Sequence, residues 1–418
     1  MQLPQMVTIK QQFDYSYIED VGQETQTIIQ HAGVLTQITP GSRVAVGVGS
    51  RGIGYQVEVV RAVCQAIQSV GAIPFIFPAM GSHGGATSEG QRGVLRALGF
   101  HEDSMQVEIL SEANGVLIGE TADGIPVYVD KNALQADHLV LVNRIKPHTK
   151  FKGPLESGIC KMLAVGMGKV EGATILHKSA VKFGFPHVIK TVAQQVAERL
   201  HFCFGIAILE TPAKTIHSLT VLTPQTMVEQ EGMLLKQATQ IMARIPFAEI
   251  DLLIVDEIGK DVSGTGMDTN VIGRNRDILG TFATLPRVYR IFVRDLTEKT
   301  QGNANGIGFA DFTTRRLVDK IDLQSTYKNA LTAMSPEKAA IPVYLDNDRQ
   351  CIAASLDSVG LTDGTDARIV RIKNTSELSQ LQISQALVKQ LPTTQSPKIE
   401  ICGSPHPMLF DQEGNLQD

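Results

Sequence analysis

The sequence has no long basic run, no long apolar run, and no pair of cysteines at CxxC spacing. Each absence excludes a class of function. A net charge of −5 without clustered Lys and Arg argues against nucleic acid or an anionic membrane as partner. Apolar stretches such as Ile73-Pro74-Phe75-Ile76-Phe77-Pro78-Ala79-Met80 are far too short to span a bilayer. The N-terminus lacks a basic segment followed by an apolar one, so no signal peptide is expected. Five scattered cysteines (Cys64, Cys160, Cys203, Cys351, Cys402) suggest neither a disulfide framework nor a thiolate metal site. These features together predict a soluble cytoplasmic protein.

What is present is a globular composition, 43% apolar and 19% charged, in a chain of 418 residues. That length exceeds one ordinary core and predicts two domains. From Arg43 onward, strand and helix patterns alternate. Val44-Ala45-Val46 is followed by helical spacing over 56–70, with apolar Val57, Val60, Val63, Cys64 and Ile67. Strands are expected at 73–78, 138–142 and 205–209, and helices at 89–98 and 188–200. The rhythm predicts an α/β fold whose N-terminal domain is a mostly parallel sheet wrapped by helices. Thr223-Pro224 predicts a capped helix running to Met242, and Pro246 marks the boundary between domains at 1–246 and 247–418. The second domain is expected to be a smaller mixed α/β unit, with the active site in the interdomain cleft. Its expected elements are strands at 251–255, 288–293, 341–345 and 367–372, a helix at 313–334, a loop at 391–397 and a last strand at 399–402.

Ligands of such sheets bind beyond the carboxyl ends of strands, where this chain concentrates glycine, histidine and arginine. Gly47-Val48-Gly49-Ser50-Arg51-Gly52 fits GxGxxG between a strand and a helix, a phosphate-binding pattern. The acidic residue that a dinucleotide's ribose requires about 20 positions later is missing, because the next strand ends Phe77-Pro78-Ala79-Met80. A plain tight turn and an NAD(P) site therefore both remain open. Arg51 adds a guanidinium suited to a carboxylate or phosphate.

His83 lies in Gly81-Ser82-His83-Gly84-Gly85, and His148 follows Pro147, each beyond a strand end. Imidazole exchanges protons near neutrality, which suits acid/base work, although a lone histidine is more often structural. Lys161 and His177 frame Gly166-Met167-Gly168-Lys169-Val170-Glu171-Gly172, read as a Gly-rich turn with a helix beginning at His177. An apolar run after Lys161 suggests a desolvated, nucleophilic amine, against the plainer reading that Lys161 and Lys169 snorkel to solvent. A further loop, Gly302-Asn303-Ala304-Asn305-Gly306, offers Asn303 and Asn305 to a substrate across the cleft.

In order and in the Lys161-to-His177 spacing, Gly49-Ser50-Arg51, Gly81-Ser82-His83, Pro147-His148, Ser157-Gly158-Ile159-Cys160-Lys161 and Leu176-His177-Lys178-Ser179 resemble the nickel-pincer-nucleotide lactate racemase family. The resemblance covers about 40–245 and, more faintly, the second domain. It implies a 2-hydroxy acid racemase or epimerase working by reversible hydride transfer, with a pyridinium-3-thioamide-5-thiocarboxylic acid mononucleotide joined to Lys161. His177 would ligate its Ni(II), a soft-donor site unlike the oxygen cages of Mg or Ca. His83 and His148 would be the two acid/base groups and Arg51 the substrate or charge partner. Gly49, Ser50, Gly166 and Gly168 would line the cofactor. Cofactor-synthesis enzymes and a small 2-hydroxy acid are the implied partners, and homo-oligomerisation stays open.

Departures alter the substrate side. Val48 stands where the family has an acidic residue, and the 148–161 loop is longer and carries Lys146, Lys150 and Lys152. In 268–276, Gly273 replaces a glutamine and Arg276 a lysine. The expected substrate is therefore not lactate, and extra cationic groups would suit a polyhydroxy acid or a diacid. The rival readings are an NAD(P)-dependent dehydrogenase using 47–52 and a non-catalytic binder of a phosphorylated ligand.

Overall fold

The computed structural model describes residues 2–277, 285–392 and 397–417. The chain divides into two compact units. The N-terminal unit is Tyr15–His148 with Lys152–Met242; the C-terminal unit holds the residues up to Asp14, Thr149–Phe151, and the chain from Ala243 onward.

The N-terminal unit is built on a six-stranded sheet in the order Glu108–Ile109, Ile73–Pro78, Arg43–Val48, His138–Arg144, Phe202–Glu210, Ile216–Leu222. All neighbours are parallel except the last pair. Its central strands are buried on both faces, which explains their continuous apolar runs: Val44, Ala45, Val46 and Val48 are inaccessible, as are Leu139 to Val142. Helix Gln56–Ser69 lays Val59, Val60, Val63, Cys64 and Ile67 against that sheet. Each such buried aliphatic side chain contributes about 1.5–3 kcal/mol.

The C-terminal unit carries an eight-stranded mixed sheet in the order Val343–Leu345, Phe312–Thr314, Arg287–Leu296, Glu249–Ile258, Ile369–Ile372, Gln380–Ser384, Met6–Gln12, Lys398–His406. Its first five strands are parallel and the rest antiparallel. Three adjacent strands are cross-linked by charge: Asp256 accepts from Arg294 at 2.8 Å and from Arg371 at 2.9 Å. Asp348, fully buried, takes a second bond from Arg294 at 2.8 Å.

The α/β expectation holds, with local corrections. The segment read as one helix over 313–334 is strand Phe312–Thr314 followed by helices Arg315–Asp319 and Leu323–Thr332. Thr314 and Asp322 each cap a new helix through their side-chain oxygens, so the segment is interrupted. Thr223-Pro224 does not open its helix either; Thr223 and Thr226 bond each other and the helix runs Met227–Ile241. Of the loop read at 391–397, residues 393–396 lie outside the described residues.

Candidate active site

Strand order sets the site's location. From Arg43–Val48 the sheet grows to one side through Ile73–Pro78 and to the other through His138–Arg144. In such sheets ligands bind beyond the carboxyl ends of strands where the order reverses. The loops leaving those three strands carry Arg51, His83 and His148.

The first loop is not a dinucleotide turn. Gly47 lies inside the strand, where a Cβ would come within 2.4 Å of a Leu141 methyl, so sheet packing requires it. The helix starts only at Gln56, after Tyr55 in a left-handed conformation (φ 57°), so Gly52 does not open it. Gly49 and Ser50 therefore belong to an extended loop leading to Arg51. Glu210 braces this loop, accepting the Gly54 amide at 2.7 Å with one oxygen and pairing with Arg144 through the other. Arg51 keeps solvent-exposed surface although protein atoms surround much of its guanidinium. Desolvation and the Arg144 charge both lower its pKa.

Lys161 ends a short helical turn, Ile159–Lys161, that continues as a π-helical turn over Met162–Gly166. Such turns recur at functional sites. The turn is held at its start: Asn143 donates to the Gly158 carbonyl at 2.9 Å, and the Cys160 amide donates to Glu231 at 2.9 Å. Glu231 is 1% exposed, and burial pushes its carboxyl up to about 7. Burial and the Arg51 charge bring the Lys161 ammonium down to about 7, against an opposing pull from Glu156. Half of Lys161 is thus a neutral, nucleophilic amine at neutral pH.

Glu156 also fixes His148. One of its oxygens accepts the His148 amide at 2.6 Å, while Lys152 donates to the His148 carbonyl at 3.1 Å and pairs with Glu156 at 3.3 Å. Shared interactions thus tie Arg51, Lys161, Glu156 and His148 to one place. The lysine-rich stretch is not a cationic wall, however. Lys152 is spent on Glu156. Lys150, only 3% exposed, belongs to the C-terminal unit, where it donates to Ser335 at 2.9 Å and pairs with Asp277 at 3.4 Å. Those two lysines lend no support to a diacid pocket.

His83 is exposed on its loop, and Gly81 two residues earlier donates to the Gly166 carbonyl at 3.0 Å. The stretch read as a Gly-rich turn is helical: helix Lys169–Phe183 begins at once, and His177 sits in its middle rather than at its start. Gly166 and Gly168 are packing glycines there. A Cβ on Gly166 would meet the Ala79 carbonyl at 2.4 Å, and one on Gly168 would meet the Gly172 Cα at 2.8 Å. His177 is half-buried, its ring edge-on to Phe185 at 5.6 Å. Lys169 does not snorkel to solvent; it is fully buried.

In the C-terminal unit, Arg276 pairs with Asp311 at 3.3 Å, an aspartate already bound by Arg274 at 2.5 Å. Gly273 ends helix Thr269–Ile272 at φ 63°, and a Cβ there would lie 1.8 Å from the Pro286 carbonyl. Glutamine is sterically excluded at that position. Asn303 accepts the Asn305 amide at 3.2 Å, and Asn305 is 3% exposed.

Residue patterns had not singled out Glu156, Glu210 or Glu231. Glu231 had a readable signal, a carboxylate at helical spacing with buried Leu234 and Leu235. Glu156 and Glu210 had none, since only the fold brings them to His148 and Arg144. Among the described residues no group of three or more His, Cys, Asp or Glu is arranged to hold a metal ion, and no helix is long and apolar enough to cross a membrane.

Residues 26–179 match the family model described as the lactate racemase N-terminal domain. No curated protein matches the chain. Among solved structures, a protein from Thermotoga maritima has 11% identity and a TM-score of 0.53, covering 87% of this chain and 99% of its own. The lactate racemase apoprotein from Thermoanaerobacterium thermosaccharolyticum has 11% identity and a TM-score of 0.45, covering 82% and 100%. At that identity the first likeness speaks to the fold alone.

Proposed function

From the match of residues 26–179 to the model of the lactate racemase N-terminal domain, we propose that this chain is a cytoplasmic racemase or epimerase of a 2-hydroxy acid other than lactate. The observation that carries the reading is Lys161, an amine brought down to about 7 by burial and by the charge of Arg51, which stands beyond the carboxyl end of a central parallel strand. Attachment of a carboxyl-derived group needs that unprotonated amine, so Lys161 fits the anchor of a nickel-pincer nucleotide. His177, a half-buried imidazole two helical turns beyond Lys169, fits the single protein donor to its Ni(II). When bound, the nucleotide and its metal supply a hydride acceptor for the substrate's C2 hydrogen.

The chain's own residues do the rest. Arg51 is assigned to the substrate carboxylate, which a guanidinium binds through two parallel hydrogen bonds. Inversion at C2 passes through a planar 2-keto acid, so a hydroxyl proton is removed and returned. His83 and His148, on loops from two different strands, are assigned those roles, one for each enantiomer. Glu156 and Lys152 hold the backbone of His148 from both sides. Cofactor-synthesis enzymes would load Lys161.

The dehydrogenase reading loses its main support, because Gly47 serves the sheet and Gly52 does not open a helix.

Intact-protein mass spectrometry with metal analysis tests the proposal, on protein made in a host that carries the cofactor pathway. The expected result is an adduct on Lys161 with about one nickel per chain, followed by racemisation of one member of a 2-hydroxy acid panel. An unmodified, nickel-free chain from that host would overturn it.

A further inference from the structure

A buried chain of polar groups runs from the centre of the N-terminal unit to the loop that bears His83. Lys169 is inaccessible to solvent, and its ammonium spends three donors inside the protein. It pairs with Asp130 at 2.7 Å and donates to the Pro78 carbonyl at 2.7 Å and to the Gln91 side-chain oxygen at 3.0 Å. Gln91, also inaccessible, turns its amide nitrogen the other way. It donates to the Gly81 carbonyl at 2.7 Å and to the His83 carbonyl at 3.3 Å. Three carbonyls of the six-residue stretch 78–83, those of Pro78 at the strand's end and of Gly81 and His83 in the loop, are thus captured by two buried side chains.

Burying an ammonium and an amide among apolar strands is costly unless every donor is used. An apolar filler would hold helix to sheet at least as well. What it would lack is a directional grip on the backbone of residues 78–83. Gln91 faces the loop only because Lys169 occupies its oxygen and so fixes which end of the amide points at the carbonyls.

We propose that Gln91, oriented by Lys169 and Asp130, is a positioning residue that sets the place of the His83 imidazole. The inference rests on the reading of His83 as an acid/base group, and it can fail independently of that reading.

The test uses the full chain with ring-labelled histidine, followed by NMR, with the His83 signal assigned through His83→Asn. Gln91→Met keeps volume and removes both grips. Gln91→Glu keeps an acceptor for Lys169 but has no N–H for the loop. The expected result is a displaced or broadened His83 signal in both variants, with the His177 signal unmoved. A role limited to partnering Lys169 predicts that Glu restores the wild-type His83 signal, and that result would overturn the proposal. Native-state hydrogen exchange on the wild type covers variants that do not fold. The amides of Ala79 and Gly81, bonded to Val48 and Gly166, should exchange as slowly as the sheet. Exchange at the rate of an exposed loop would also overturn the proposal.

In cofactor-loaded enzyme the expected cost of Gln91→Met is about ten- to a hundred-fold in kcat, the scale of a misplaced catalytic group. No further cost should appear in a His83→Asn background. A wild type without racemase activity would sink the functional reading and leave the NMR result standing. An unmoved His83 signal with full racemase activity would sink only the positioning role.

Discussion

At the residue scale the site turns on two groups whose burial moves their protonation in opposite senses. Lys161 comes down to about 7, so about half of it is neutral at pH 7, against about one in a few thousand for an ordinary lysine. Acylation of Lys161 in the purified chain, followed by peptide mass spectrometry, should therefore rise through pH 7 and level off, while surface lysines keep gaining to pH 10. Arg51→Met removes one of the causes and should raise that midpoint, slowing acylation at pH 7 several-fold. An unchanged midpoint would mean that Arg51 does not act on the amine. Glu231 goes up to about 7 from an ordinary value near 4.5. Below pH 4.5 its carboxyl is protonated in both folded and unfolded chains and costs nothing. Between pH 4.5 and 7 the unfolded chain ionises first, so stability falls as pH rises, and the loss is complete above 7. Glu231→Gln has no such slope. Its stability relative to wild type should grow by about 3 kcal/mol from pH 4.5 to 8 in urea titrations, whatever constant cost the amide brings. A pH-independent difference would place the carboxylate in a more polar setting.

Elements show what was legible and what was not. The strands at 73–78 and 138–142 and the helix at 56–70 were readable because parallel strands buried on both faces are continuous apolar runs and helices carry a 3.6-residue stripe. Gly47 was misread because strand glycine and loop glycine look alike without the neighbouring Leu141. Gly47→Ala separates the two roles: overpacking should cost about 1–3 kcal/mol of stability. A dinucleotide site would instead show up as lost NAD binding with stability intact. The 313–334 segment failed for a different reason, since side chains of Thr314 and Asp322 that cap helices are indistinguishable from exposed polar residues in a run. Lys150 shows the same limit in charge. Its partners Asp277 and Ser335 are far away in sequence, and Asp277 also takes Lys338 at 2.9 Å. Two buried ammoniums share one carboxylate, so removing the carboxylate should hurt more than removing one amine. Asp277→Asn is expected to cost about 3–5 kcal/mol and Lys150→Met about 1–2 kcal/mol, by urea unfolding. Equal losses would show that the lysine is held by its other bonds.

For the whole molecule, the decisive fact is that sequence order and spatial order part company at the N-terminus. Strand Met6–Gln12 lies inside the C-terminal sheet, between Gln380–Ser384 and Lys398–His406. Its side chains Met6, Val7 and Ile9 are buried. No local pattern can reveal a strand whose two partners are at the other end of the chain; only the long-range pairing does. The sheet without it would leave Lys398–His406 with no neighbour on that side and Gln380–Ser384 with an open edge above an apolar surface. A fragment beginning at residue 247 should therefore fail to fold cooperatively or should aggregate, although it includes most of the C-terminal unit. Adding residues 2–14 back, as a peptide in trans or joined through a flexible linker, should restore a single cooperative urea transition. The interior position of the strand demands that outcome, because its backbone bonds both neighbours and its loss removes a double row of hydrogen bonds rather than an edge. A fragment from residue 247 that folds without it would mean that the sheet closes its own gap and that the first strand is an accessory.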